Sequence, residues 1–306
     1  MSPRIGLSTP WDLWDLDPEA QRQRLAEIVD AGVDHVFTAD HVSFHGGNGT
    51  DGIVDMAAVG GMEPRLGVYI GVYLLALRHP LVAARKISSL AKSAPGRVTV
   101  GVGVGGEDRH EFEVCEVDPS TRGLRTNAAL DIVRRLLAGE TVDGDGRFYH
   151  FSQGLIRPTP KPSVPLVVGG RSKAALHRTA ALGDGWLGAW CTAERFADSV
   201  QAIAEDEAAL ERGTVDWQHG MQVWVGIGDN EADGAEHLAK RMEAFYRVPF
   251  KAFAPYSPCG TPTEVGHRLQ AYVDAGASVL NITPVGPSRT AELEAIGVIR
   301  QMLTSP

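Results

Sequence analysis

Cysteine is scarce: three residues in 306, Cys115, Cys191 and Cys259. Their number is odd, they stand far apart, and none has CxxC spacing. Both a disulfide framework and a zinc site are therefore set aside, and no metal is expected. Long apolar runs are missing as well. No stretch reaches the ~18 residues needed to cross a bilayer, so no membrane partner is expected. Basic runs are equally absent, with 29 Lys and Arg against 38 Asp and Glu and a formal net charge of −9. That balance lacks the electrostatic footprint of a nucleic-acid binder. The opening residues, Met1-Ser2-Pro3-Arg4-Ile5-Gly6, run into a strand pattern without a signal-peptide core. A cytoplasmic enzyme acting on a small molecule is the expectation.

What is present is an ordinary globular composition, 43% hydrophobic and 22% charged, enriched in glycine at 35 residues. Such glycine content without a collagen-like period points to tight turns and close backbone approaches. Short β-branched runs alternate with helical periods. Strands are expected at 4–9, 33–38, 66–75, 97–104, 165–169, 184–189, 222–227 and 277–283. Between them, Asp17-Pro18-Glu19 and Thr261-Pro262-Thr263-Glu264 read as helix starts, and Gly144-Asp145-Gly146 as a hairpin within 139–163. Further helices are expected at 80–93, 122–138, 172–182, 193–212, 230–246, 262–275 and 288–303, with loops at 43–65 and 247–260. Eight β/α units without a linker-like break predict one domain over 1–306, an α/β (β/α)8 TIM barrel with a hairpin insertion.

In such a barrel the working residues stand at the C-terminal ends of strands. The second strand ends in Thr38-Ala39-Asp40-His41, where an acid could orient an imidazole, or Asp40 could simply cap a helix. His45, four residues on, lacks the HExxH context of a metal site. The fourth strand reads Val98-Thr99-Val100-Gly101-Val102-Gly103-Val104-Gly105-Gly106. Its glycines satisfy GxGxxG formally, but they lie within the strand rather than opening a helix. One face carries no side chain, so either a large ring approaches the backbone or a small-residue layer fills the barrel. Gly71-Val72 in the third strand suggests a bulge. Val168-Gly169-Gly170-Arg171-Ser172 brings free N–H groups and a cation to a helix start, an anion site or a plain cap at Ser172.

Taken together, these segments resemble the luciferase-like monooxygenase superfamily, in particular its oxidoreductases using the deazaflavin coenzyme F420. The likeness lies in Ala39-Asp40-His41 and in Leu75-Ala76-Leu77-Arg78-His79-Pro80-Leu81-Val82-Ala83-Ala84. Pro95 to Gly103, Glu111-Phe112, Arg122-Gly123, Val167-Val168-Gly169-Gly170, Gly183-Asp184-Gly185-Trp186 and Gly260 to Glu264 extend it along the chain. The resemblance implies a cofactor ring at the C-terminal mouth, backed by a bulge at Ile70-Gly71-Val72 that often carries a non-prolyl cis peptide. It implies His41 facing the reacting carbon, with Asp40 fixing its tautomer or pairing with the cofactor. The loop after the fourth strand, Val104-Gly105-Gly106, would line the ring, and an acid there falls at Gly106 or Glu107. Gly169 and Gly170 match the phosphate side, with Arg171 and Ser172 beside them, and Arg157, Lys161, Arg171 and Lys173 are either cations for an anionic tail or ordinary solvated surface charge. Asn127 stands where an acidic residue is common. FMN on the same fold is the alternative cofactor, a non-catalytic flavin binder a second alternative, and a homodimer is implied.

Overall fold

The computed structural model describes residues 2–106 and 108–304. In order, the chain forms β1 (Arg4–Ser8), α1 (Pro18–Asp30), β2 (His35–Thr38), α2 (Gly52–Met62), β3 (Gly67–Leu74), α3 (Pro80–Ser93), β4 (Val98–Gly103), α4 (Arg109–Val114) and α5 (Arg122–Ala138). The hairpin β5 (Val142–Asp145) and β6 (His150–Gly154) follows, then β7 (Leu166–Gly169), α6 (Lys173–Leu182), β8 (Gly185–Ala189) and α7 (Ala193–Leu210). The last elements are β9 (Gly220–Ile227), α8 (Glu231–Tyr246), β10 (Cys259–Gly260), α9 (Pro262–Asp274), β11 (Val279–Val285) and α10 (Arg289–Thr304).

Strands hydrogen-bond in the order β10-β9-β11-β1-β2-β3-β4-β7-β8, and β8 also pairs with β9, which closes the ring. Eight of these strands, alternating with helices, make the expected TIM barrel. Local chemistry explains the agreement. Asp17 accepts from Glu19 N and Ala20 N to start α1, Thr261 and Glu264 form a reciprocal capping box, and Gly139 ends α5 in the left-handed region at φ 89°.

Three elements were not expected. Helix α2 lies within the segment read as a loop, capped by Asp51 and carrying Gly52, Gly60 and Gly61. Glycine lowers helix propensity, and this run is too uniformly apolar to show a periodic stripe. Helix α4 spans only six residues, and β10 only two, too short for any period to register.

By compactness the chain divides into two units. The first, Met1–Val36, Leu187–Glu205 and Gln218–Pro306, is built on β1, β9 and β11, with Ile5, Met221, Val223, Leu280 and Ile282 buried. In it Trp224, Leu238, Met242 and Cys259 form a cluster that Trp190, Tyr246 and Phe253 extend. The second, Phe37–Trp186 and Asp206–Trp217, is built on β3, β4 and β7. All six residues of β4 are buried, as a strand covered on both faces requires. None of the helices described is long and apolar enough to cross a membrane.

Candidate active site

Within the second unit, four neighbouring strand ends carry the candidate residues: β2, β3, β4 and β7. The loop after β2 holds His41. Its N–H donates to Thr50 O at 3.0 Å, and Gly49 allows the close turn, since a Cβ there would stand 2.5 Å from His41 O. Phe44 stacks on the imidazole at 4.2 Å between ring centroids.

The partner of His41 is Glu111, on the short helix α4. Glu111 Oε2 lies 3.1 Å from His41 Nδ1, and Oε1 accepts from Val42 N at 2.6 Å and Ser43 N at 3.2 Å. Burial alone would raise the Glu111 carboxyl, but the His41 contact and these two N–H groups bring it below its ordinary value. A carboxylate on Nδ1 sets the tautomer and leaves Nε2 as the exchangeable nitrogen. As a neutral imidazole, His41 can accept a proton at Nε2. As an imidazolium, it can donate one to a substrate oxygen.

Of the two roles expected of Asp40, fixing the His41 tautomer or pairing with the cofactor, the first falls to Glu111. The buried Asp40 carboxylate accepts from Leu74 N at 2.9 Å and Gly52 N at 3.1 Å, and pairs with Arg78 at 2.8 Å. It ties the ends of β2 and β3 to the start of α2. Burial pushes its carboxyl up, against the pull of Arg78 and the two N–H donors. Arg78 also lies over the Tyr73 ring at 4.4 Å. The Tyr73 hydroxyl is buried without a hydrogen-bond partner among the described residues, and burial raises its pKa.

The third strand has the anticipated irregularity. The register with β4 shifts between Ile70 and Tyr73, and the Gly71–Val72 peptide is cis. Ile70 is fully buried, whereas Val72 is half-buried. The bare face of β4 is not an open berth, however. A Cβ at Gly101 would stand 2.6 Å from Ile70 O and 3.1 Å from Val72 Cγ1, and one at Gly169 2.9 Å from Val72 Cγ1. A Cβ at Gly103 would also run into Val72. The glycines make room for the Val72 side chain, so the small-residue reading of that face holds. Val72 keeps part of its surface exposed.

Gly105 and Gly106 follow β4 at φ 59° and 116°, and Gly170 follows β7 at φ 123°, all conformations that favour glycine. Gly170 O accepts from Trp186 Nε1 at 2.7 Å. The Ser172 hydroxyl caps α6 by accepting from Ala175 N at 3.2 Å, which fits the plain-cap reading. Arg171 is exposed, and Val104 is half-buried. Arg157 donates to Gly139 O at 3.0 Å. Glu107, a candidate acid, lies outside the described residues.

Comparison with known proteins places the chain in a family. The profile of the luciferase-like monooxygenase family matches residues 4–256. The chain belongs to that family. Its relatives include an F420-dependent glucose-6-phosphate dehydrogenase of Beutenbergia cavernae, 30% identical over 231 residues, covering 71% of this chain and 68% of that protein. An uncharacterized protein of Mycobacterium tuberculosis is 35% identical over 131 residues, covering 43% of this chain and 45% of that protein. The chain thus matches less than half the length of that relative. Among solved structures, an F420-dependent secondary alcohol dehydrogenase in complex with an F420-acetone adduct has TM-score 0.85 at 16% identity, covering 100% of both chains. At that identity the likeness is one of fold.

For this luciferase-like chain, two site residues escaped a role in the sequence reading. Glu111 and Arg78 stand in segments that carry the family likeness, but nothing local says which group either one meets. Both find their partners across 70 and 38 positions of chain.

Proposed function

We propose that this luciferase-like protein is an F420-dependent oxidoreductase acting on a small organic substrate, with His41 as its acid/base or oxygen-polarising residue. The observation that carries the reading is the His41–Glu111 pair, a ring held at Nδ1 by a buried carboxylate at the end of a barrel strand. The residues present fit a flat heterocycle. The half-buried Val72 at the β3 irregularity offers apolar surface, and Gly105, Gly106 and Gly170, all at positive φ, add no side chain of their own at the neighbouring strand ends. Gly71–Val72 and Val104–Gly106 would hold the ring. Ile70, fully buried, presents no surface to it.

When bound, the deazaflavin supplies the hydride chemistry. The chain's own part is orientation and proton handling. Glu111 keeps the Nδ1 proton of His41 in place. Nε2 then takes a proton from an alcohol-like substrate, or an imidazolium gives one to the oxygen of a carbonyl-like acceptor. Asp40 and Arg78 hold the strand ends at which this happens.

Titration of the apo-protein with F420 and with FMN tests the reading. Tighter binding of F420 is expected, with hydride exchange and no oxygen consumption. Preference for FMN, with oxygen uptake once the flavin is reduced, would move the protein to the monooxygenase alternative. Tight binding without turnover on any substrate would leave a flavin carrier.

A further inference from the structure

Glu111 reaches His41 Nδ1 with its two oxygens at 3.1 and 3.3 Å, an edge contact that leaves the imidazole room to tilt. The plane of such a ring is set by what lies on its face, and that plane decides where Nε2 points. Phe44 covers the face of His41, with ring centroids 4.2 Å apart and planes 28° apart. Phe44 also packs against a second imidazole, that of His45, at 4.0 Å between centroids.

His45 is held by an acid as His41 is. Its backbone N–H donates to Asp108 Oδ2 at 2.8 Å, and its Nδ1 stands 3.6 Å from the same oxygen. That N–H, ahead of the other groups around it, keeps the Asp108 carboxyl below its ordinary value. Asp108 is the N-cap of α4 and Glu111 stands in its first turn, so one six-residue helix steadies both imidazoles. The loop between them is closed on itself. Phe44 and Asn48 exchange backbone hydrogen bonds at 2.7 and 2.9 Å, and Asn48 Nδ2 donates to His45 O at 3.2 Å. His45 takes φ 42°, a left-handed conformation that a residue with a side chain keeps where its surroundings impose it. Phe44 itself is buried, which confines its ring to the place it occupies against His41.

We propose that Phe44, His45 and Asp108 are positioning residues for His41: Asp108 fixes His45, His45 confines Phe44, and the Phe44 ring sets the imidazole plane that aims Nε2. The effect on turnover rests on the proposed function, whereas the hold on the ring does not.

The test follows the NMR signals of the His41 ring in the full chain, identified among the ten histidines by their loss in His41→Ala. Turnover with F420 is read alongside, on a panel of small alcohols and ketones. Phe44→Leu keeps an apolar side chain but removes the flat face. The His41 ring protons should then lose their upfield ring-current shift, and kcat should fall about 10–100-fold at unchanged KM. Phe44→Tyr keeps the face and should restore the upfield shift and most of the turnover. Asp108→Asn still caps α4 but loosens the hold on His45. It should move the His41 signals in the same direction and lower kcat, yet add nothing to Phe44→Leu in the double variant, because its effect passes through the Phe44 ring. A merely structural role predicts lower melting temperatures with kcat per folded enzyme unchanged. That outcome, or additive losses in the double variant, would overturn the proposal. Should Phe44→Leu not fold, Asp108→Asn decides alone, and unmoved His41 signals in it would overturn the proposal. If the wild type turns over no member of the panel with F420, the proposed function loses its support, while the His41 signals still judge the hold on the ring.

Discussion

Glu111 Oε2 stands 3.1 Å from His41 Nδ1, although seventy positions of chain separate the two residues. The carboxylate is spent on one nitrogen of the ring and on two backbone N–H groups, so it acts through His41 rather than on a substrate. Glu111→Gln should therefore lower turnover about 10–100-fold, as losses of ring-orienting partners do elsewhere, while cofactor affinity stays the same. The acid stability should change as well. Because the folded Glu111 carboxyl lies below its ordinary 4.5, it stabilises the protein above that pH. That contribution is lost as pH falls through the lowered folded value. Urea unfolding across pH 3–6 (a window of about three units around the ordinary carboxylate range) should show the loss in wild type and not in the Gln variant.

His41→Ala removes the acid/base group but leaves the Val72 surface and the glycine turns intact. Turnover should drop by about 10²–10⁴-fold with F420 affinity retained. Turnover at the wild-type rate would take His41 out of the mechanism.

Arg78→Met leaves the Asp40 carboxylate buried without its cation. Breaking such a pair costs about 3–5 kcal/mol. The folded Asp40 carboxyl is already raised and would rise further, so the deficit should shrink as pH falls and Asp40 takes up a proton. Chemical denaturation at neutral and mildly acid pH checks both the size and the sign.

Gly169→Ala drives a Cβ to 2.9 Å from Val72 Cγ1. Overpacking of this kind costs about 1–3 kcal/mol. Trimming the obstacle should relieve it, so the double variant Gly169→Ala, Val72→Ala should be less destabilised than the sum of the single changes. Additive losses would mean that Val72 is not what the glycine accommodates.

His35 and His219 are buried in the first unit, and burial lowers both from 6.5 to about 4. At His35 the bond to Asn281 and the charge of Asp34 oppose that shift, while Arg4 adds to it. Between pH 6.5 and 4 the unfolded chain binds protons that the folded one refuses. Stability should thus be full above pH 6.5 and decline as pH falls toward 4, by at most about 3 kcal/mol per histidine. His35→Gln and His219→Gln should each flatten that slope in denaturation curves.

The order of strands and helices is readable from the chain alone because it is local. Asp17 caps a helix with its own side chain, Thr261 and Glu264 meet three residues apart, and Gly139 turns a helix end by its own φ. The Asp40-His41 strand end and the irregularity at Gly71-Val72 are legible for the same reason. The partners are not. That Glu111 rather than Asp40 holds the imidazole and that Val72 fills the bare face of β4 depend on which strand ends become neighbours. Barrel closure and strand register decide those meetings, and no spacing along the chain encodes them.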